Sequence, residues 1–262
     1  MSRVSELVSA SLSADAMADR LLDRQARLLE YLSSAATVFG DRADASGDPV
    51  PEGLDRTPLR LQARFACNKR LEKIVAVFPR TLRAFGAGQR RILREFVAVS
   101  PPANKGTLAN AREFHEFLSV CWQDEAPEPA YLPDVAACEL AMAEAGDVLG
   151  ESDNQAAREA LAVSTGGIRR RRNAVPLRCA HDIRSMFDAA AGEAVLPRRD
   201  MCFVVVSLAT TGEVRIVEVS PSVFEVFTLL GDWVNRSSLD ALGDREHLIG
   251  YLAAQGFIEE RA

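Results

Sequence analysis

The histidines are the first side chains to consider for acid–base or metal chemistry. His115 lies next to Glu113 and Glu116 on a predicted helix, but neighbours on one helix do not converge on a point as a base and its partner must. His181 stands beside Asp182 at the start of a helix predicted over residues 180–190, where such a pair is typical of a polar helix start. The sequence therefore predicts structural histidines and no catalytic residues.

The cysteines do not form a metal-binding motif. There are five of them, at positions 67, 121, 138, 179 and 202, and none forms a C-x-x-C pair. No histidine lies at the spacing of a zinc ligand. We predict reduced, mostly buried thiols, and no metal or other cofactor held by this chain.

The run Arg169–Arg172 is the sharpest charge feature. Guanidinium groups bind carboxylates and phosphates through paired hydrogen bonds. Arg169, Arg170, Arg171 and Arg172 could therefore contact an acidic peptide or an acidic face of a partner, and a solvated linker is the alternative. The net charge of −6 argues against nucleic acid as a partner, because phosphate binding needs a basic surface.

The C-terminal part orders strands and helices in the manner of a winged helix. Two apolar segments, 201–208 and 214–219, flank a turn that contains Gly212, which predicts a β-hairpin. Ser220 and Pro221 then have the residue types of a helix N-cap and a first helical position. The pattern predicts a small winged-helix-like module whose sheet has one open edge.

The predicted organisation has two domains and a linker. Residues 1–150 are predicted to be helical, residues 151–173 to be a linker with a hinge at Thr165–Gly167, and residues 174–262 to be the winged-helix-like domain. The fold class is therefore mainly α with a small α+β part, an N-terminal helical bundle followed by the C-terminal module.

One helix of the N-terminal half begins at Thr57-Pro58. Its large apolar residues include Leu61, Phe65, Ile74 and Val75, which recur at helical spacing.

The C-terminal module resembles the PqqD-like recognition elements of enzymes that modify ribosomally made peptides. The matching segments are the hairpin at Thr211-Gly212, VSPSVFEVFTLLGDW and LIGYLAAQGFI. Such elements bind a leader peptide as an extra strand at a sheet edge. Main-chain hydrogen bonds provide affinity there, and side-chain pockets provide specificity for the peptide sequence. The resemblance thus implies a peptide groove between the second strand of the hairpin and the last helix.

This groove has a definite set of expected residues. They are Val214, Arg215, Ile216, Val217 and Val219 of the strand, and Leu248, Tyr251 and Leu252 of the helix. Among them, we expect the main-chain groups of Arg215, Val217 and Val219 to pair with the peptide. The sequence leaves open which edge is free, since a strand at 174–179 could close the groove.

Residues 64–143 resemble the helical domain of the HvfC/BufC family. The resemblance rests on Phe78-Pro79, the SPP sequence at Ser100–Pro102, and YLPDVAACELA at Tyr131–Ala141. Where many relatives have LEWA, this chain has Cys138-Glu139-Leu140-Ala141. TglI and MbnC are relatives of the family. Its members accompany multinuclear iron enzymes with a TIM-barrel fold, of the TglH, MbnB and BufB type, that oxidise cysteine residues in precursor peptides.

The two resemblances together imply a non-catalytic partner subunit. The iron would belong to the partner enzyme, while this chain would bind the leader of the precursor peptide and dock the enzyme, in a TglI-like role of the 3-thiaglutamate type. The alternative is a winged-helix DNA-binding transcriptional regulator, although the helix over 222–231 contains no Lys or Arg.

The sequence also bears on location. No apolar run approaches the roughly 20 residues of a membrane helix, and the N-terminus lacks a secretory signal. We therefore expect a cytoplasmic protein that does not contact a membrane.

Overall fold

The computed structural model describes residues 2–39, 55–100, 106–159, 167–188, 196–209, 211–239 and 245–261. The chain divides into two compact units. The first unit contains Met1–Val75 and Gly86–Asn110, and the second contains Ala76–Phe85 and Ala111–Ala262. The SPP prolines Pro101 and Pro102 and the hinge residues Thr165 and Gly166 lie outside the described residues.

Helices make up most of the described chain, which confirms the predicted fold class of mainly α with a small α+β part. The helices are α1 Ser2–Ser33, α2 Ala35–Phe39, α3 Arg56–Val77, α4 Pro79–Ala84, α5 Gln89–Val99, α6 Thr107–Asp124, α7 Leu132–Glu159, α8 Arg184–Asp188, α9 Pro221–Leu229 and α10 Arg245–Ala254. The strands are β1 Gly167–Arg170, β2 Ala174–Cys179, β3 Cys202–Leu208, β4 Val214–Glu218, β5 Val234–Asn235 and β6 Ile258–Glu260.

A buried arginine ties together the helices of the first unit. Arg70 of α3 is 5% exposed, and its Nε donates to Asn110 Oδ1 at 3.0 Å. Its other nitrogens donate to the carbonyl and, at 3.0 Å, to the hydroxyl of Ser100, and its guanidinium lies 4.5 Å from the centre of the Phe96 ring. A buried cation is tolerated only when its donors are satisfied, so these contacts fix α3 relative to the end of α5 and the start of α6.

In the second unit, a buried carboxylate holds the start of α4. Glu139 of α7 is 3% exposed and accepts hydrogen bonds from the backbone N–H groups of Arg80 at 2.7 Å and Thr81 at 3.1 Å, and from Thr81 Oγ1 at 2.8 Å. The first N–H groups of a helix have no partner within the helix, and here Glu139 supplies one. The Phe78-Pro79 and Cys138-Glu139 motifs are thereby brought together.

Strands β2, β3 and β4 form an antiparallel sheet in that spatial order. One face, which includes Val204 and Val206, packs with Val135 and Cys138 of α7. The opposite face packs against α9 and α10 through a second cluster, whose members include Val205, Val219, Val223, Phe227 and Leu252. The sheet therefore lies between two helical layers, and β3 is buried on both faces.

The hairpin and the helix that follows it agree with the sequence analysis. Strands β3 and β4 pair from Val204↔Glu218 to Leu208↔Val214. Ser220 Oγ accepts from the Val223 N–H at 3.3 Å, and Pro221 is the first residue of α9. The predicted N-cap is therefore confirmed.

A second small sheet corrects the predicted linker. Gly167–Arg170 form β1, which pairs antiparallel with β5 on one side and with β6 on the other. Residues 171–173 then make a tight connection to β2, in which the Ala174 N–H donates to the Arg171 carbonyl at 3.1 Å. Arg169 and Arg170 thus lie in a sheet, because β5 and β6 pair with the two edges of β1.

The division into units also differs from the predicted division at residues 150 and 174. Helix α7 covers one face of the β2-β3-β4 sheet, so its residues share a core with the C-terminal strands.

Glu139 gives the second unit a measurable pH dependence. Burial raises the pKa of its carboxyl, against the lowering effect of the Arg80 and Thr81 hydrogen bonds. The folded chain then keeps this proton at a pH where the unfolded chain has released it, so stability falls as pH rises from about 4.3 through the raised pKa. We expect the wild type to lose stability relative to Glu139→Gln over this window and the difference to be constant above it. Urea midpoints measured at several pH values test this, and a wild type that gains stability relative to Glu139→Gln as the pH rises would contradict it.

Candidate functional site

The outer edge of β4 is open. Among the described strands β4 pairs only with β3, and β2 lies on the other side of β3. The Val219 N–H donates to the Phe203 carbonyl at 2.9 Å, and the Ala209 N–H donates to the Glu213 carbonyl at 2.8 Å. Hydrogen-bonded pairs alternate along an antiparallel ladder. Therefore the odd-numbered residues of β4 bond to β3, while the N–H and C=O groups of Val214, Ile216 and Glu218 point away from the sheet.

This register corrects one prediction. The main-chain groups of Arg215, Val217 and Val219 were expected to pair with a peptide, but they face β3. The side-chain alternation of β4 is as expected, and only the assignment of its two hydrogen-bonding rows is reversed. Glu218, which the sequence analysis did not select, has one of the outward-facing groups.

The opposite edge of the sheet is formed by β2 and is partly blocked. The Leu208 N–H donates to the Asn173 carbonyl at 3.2 Å, which places Val175, Leu177 and Cys179 in the hydrogen-bonded row toward β3. The groups that point outward belong to Ala174, Pro176 and Arg178, and proline has no N–H to donate. Strand 174–179 thus does not close the β4 edge, and its own edge is a poor template for an added strand.

Arg215 anchors the first half of β4. Its Nε donates to Ser207 Oγ at 3.2 Å, another guanidinium nitrogen donates to the Gln255 carbonyl, and the group lies 5.4 Å from the centre of the Phe257 ring. The side chain is exposed, but its donors are used within the second unit. Its contacts hold β4 to the end of α10.

At the other end of β4, Glu218 belongs to an ion-pair network. Arg184 donates from Nε and Nη2 to the two carboxylate oxygens of Asp182, both at 2.8 Å, and from Nη1 to Glu218 Oε2. The hydrogen bonds from Arg184 lower the pKa of Asp182. The network fixes α8 beside the end of the open edge.

A cavity of about 340 Å³ opens at this end of the strand. It is lined by residues at and just before the start of β3 and by residues at and after the end of β4: Met201, Cys202, Phe203, Glu218, Val219, Ser220 and Pro221. The cavity adjoins the last outward-facing main-chain group of β4.

The predicted pocket residues of α10 lie in the core. Leu252 is 0% exposed, and Leu248 and Tyr251 are partly buried against the same apolar cluster. Leu252 therefore cannot line an open groove, because it is already covered by the neighbouring side chains.

The arginine run is used inside the second unit. Arg169 pairs with Glu259 and lies 4.6 Å from the centre of the Trp233 ring. Arg170 lies 5.6 Å from the Phe227 ring centre, and burial lowers its pKa. Arg171 Nε donates to the Ile258 carbonyl at 3.2 Å, and Arg172 is exposed. The run stabilises the small sheet, and the linker interpretation is replaced.

The histidines and cysteines have structural surroundings. His181 Nδ1 lies 2.8 Å from Asp134 Oδ2, while Asp182 accepts from the Arg184 N–H at the start of α8 at 3.2 Å. Within the predicted helix over 180–190, the structure describes the short helix α8. Burial lowers the pKa of the half-buried His115. Burial also raises the pKa of the Cys138 thiol to about 12.

The donor groups do not fit a metal. In the part of the chain that the structure describes, no three His, Cys, Asp or Glu side chains converge as a metal site would require. Within the same residues, no helix has the length and apolar character needed to cross a membrane.

Comparison with known proteins gives one match. A family model described as SCO6045-like, C-terminal domain matches residues 42–120. Among curated proteins nothing matches this chain. The matched region ends within α6, before the strands begin.

The edge geometry predicts a contrast between two adjacent proline substitutions. Val217→Pro removes an N–H that bonds to β3, whereas Ile216→Pro removes an N–H that points outward. We expect Val217→Pro to be less stable than Val217→Ala by about 1–3 kcal/mol, because its β3 acceptor loses a partner, and Ile216→Pro to differ much less from Ile216→Ala. Urea unfolding of the four variants measures both differences. Equal proline penalties at the two positions would contradict the register.

Proposed function

We propose that this protein is the non-catalytic subunit of a heterodimeric iron enzyme that oxidatively modifies cysteine in a ribosomally made precursor peptide, in a TglI-like role in the cytoplasm. Its part is to bind the leader of the precursor and to dock the enzyme. The observation that carries this proposal is the open edge of β4 beside an opposite edge interrupted by Pro176. Because this sheet has one available edge, a peptide strand can be added to it on one side only.

The chemistry of that edge suits an added strand. Val214, Ile216 and Glu218 together offer three N–H donors and three C=O acceptors in one row. Each hydrogen bond contributes a net free energy of roughly 0.5–1.5 kcal/mol. A short peptide strand therefore gains affinity from main-chain hydrogen bonds alone, without any contact to its side chains. The half-buried Val214 and Ile216 side chains and the cavity beside Glu218 then offer apolar and polar contacts for choosing among peptides.

The proposal assigns the iron to the partner enzyme. The buried thiols lie within an apolar core, and the His181 side chain is paired with Asp134. Neither set offers the open, convergent donors that an iron centre needs. The chemistry supplied by this chain is therefore binding and positioning of the substrate peptide.

The decisive test separates the main chain of Ile216 from its side chain. Ile216→Ala keeps the outward N–H, whereas Ile216→Pro lacks it. With a fluorescently labelled leader peptide, we expect Ile216→Ala to bind within a few-fold of wild type and Ile216→Pro to bind at least tenfold more weakly, which corresponds to about 1.4 kcal/mol.

The same variants are then co-expressed with the TIM-barrel iron enzyme. We expect each to co-purify with an iron-loaded enzyme, and the Ile216→Pro complex to modify the precursor poorly. If neither the peptide nor the enzyme binds and the wild type instead binds duplex DNA in a salt-sensitive manner, the regulator interpretation replaces this proposal.

A further inference from the structure

The outer face of α3 in the first unit exposes three large apolar residues, with the exposed Asn68 and Glu72 on the same face between Phe65 and Val75. Leu61 is 63% exposed, Phe65 is 67% exposed and Val75 is 39% exposed. The residues of α3 that the structure buries are instead Ala63, Cys67, Arg70 and Ile74.

Basic side chains border this apolar stripe on both sides. Helical geometry places Arg60 and Arg64 along one border, and Lys69 and Lys73 along the other. Lys69 Nζ lies 5.3 Å from the centre of the Phe65 ring. The single acidic residue of α3 is Glu72, so this helix is strongly basic in a chain whose net charge is −6.

A second helix of the same unit repeats this pattern. Met17, Leu21, Leu22 and Leu29 of α1 are 75%, 58%, 61% and 67% exposed. Arg20, Arg24 and Arg27 follow one border of that face at helical spacing. Two faces of the first unit thus combine exposed large apolar residues with arginines.

We infer that the outer face of α3 around Leu61 and Phe65 is the docking surface for a protein partner whose contact surface has an apolar centre and an acidic rim. Protein interfaces have an apolar core within a polar rim, and large side chains that become fully covered carry most of the binding energy. Leu61 and Phe65 provide that centre, and Arg60, Arg64, Lys69 and Lys73 provide charges that oppose acidic groups.

Charge complementarity selects this occupant over the others. A second copy that used the same α3 face would bring like charges together, which opposes association. The phosphates of a nucleic acid would meet the basic borders but leave the leucine side chains in water. An acidic protein surface with an apolar centre satisfies both features at once.

The identity of the partner, the iron enzyme, rests on the proposed function. The chemistry of the surface does not depend on it. The chemistry is tested with a designed amphipathic helix that has leucines on one face and glutamates along both borders. Its matched control has lysines in place of the glutamates. We expect the glutamate helix to bind wild type at least tenfold more tightly than the lysine helix does, with an affinity that falls as salt is added.

Two double variants locate the binding. Leu61→Ser with Phe65→Ser is expected to weaken binding of the glutamate helix at least tenfold. Arg60→Glu with Arg64→Glu is expected to reverse the preference toward the lysine helix. Matched controls are Leu229→Ser, 57% exposed in the second unit, and Arg199→Glu, also exposed, and neither should change the binding. Circular dichroism confirms that each variant is folded.

Other outcomes overturn the inference in identifiable ways. Equal binding of the two designed helices removes its chemical basis. A wild-type dimer in light scattering that Leu61→Ser with Phe65→Ser converts to monomer assigns the face to a second copy. Loss of binding to phosphatidylserine vesicles or duplex DNA in the same variant, without designed-helix binding, assigns it to a lipid surface or to nucleic acid.

Co-purification separates this inference from the proposed function. If the α3 variants lose the iron enzyme but keep the leader peptide, both stand. If the enzyme still co-purifies with them, the docking surface is wrong and the proposed function stands. If the glutamate helix binds as expected but the enzyme never does, the surface stands and the proposed partner is wrong.

Discussion

Strand β3 sets the plan of the second unit, because consecutive residues of it are buried on both faces. Val204, Val205 and Val206 are all 0% exposed. A strand of this kind needs a layer on each side and a neighbour on each edge. Helix α7 supplies one layer, α9 and α10 supply the other, and β2 and β4 supply the neighbours. Once β3 is satisfied, the main-chain groups of this sheet that are left without a strand partner among the described residues lie on the outer rows of β2 and β4.

Several charged side chains of the second unit are satisfied by contacts within that unit, which leaves the free main-chain groups of β4 as a distinctive feature of its surface. Glu139 caps α4, Arg215 binds the end of α10, and the first arginines of the run hold the small sheet. In the first unit Arg70 has the same kind of role among α3, α5 and α6. Charged side chains that the sequence suggested for binding a partner therefore make contacts within the fold. Exposed charged side chains lie on helix surfaces such as those of α1 and α3.

Local patterns in the sequence were enough to predict the local structure. The hairpin, the Ser220 cap and the helical content each depend on residues close together in the chain. The hydrogen-bonding row of β4 could not be predicted, because it depends on the register with β3 and not on which side chains alternate. The strand at 167–170 could not be predicted either, since its partner β6 lies about ninety residues further along and is only three residues long.

The face of α3 shows a different limit of sequence reasoning. Two apolar rows run along this helix, and residue size favours the one that contains Leu61 and Phe65. The structure buries the row that contains Ala63, Cys67 and Ile74, next to the buried Arg70. Close approach of neighbouring helices suits small side chains, whereas hydrophobicity alone ranks the larger ones first. A periodicity argument cannot tell a core face from an interface face.

The proline at position 176 has a consequence for self-association. An open-ended filament of sheets needs two competent edges on every copy, so that each molecule can add the next. Here only the β4 edge has an unbroken row of donors, and the β2 edge lacks the Pro176 N–H. Two copies that met edge to edge would join β4 to β4 about a two-fold axis, and the assembly would stop at that pair. The sheet can thus keep one edge exposed without becoming a template for fibres.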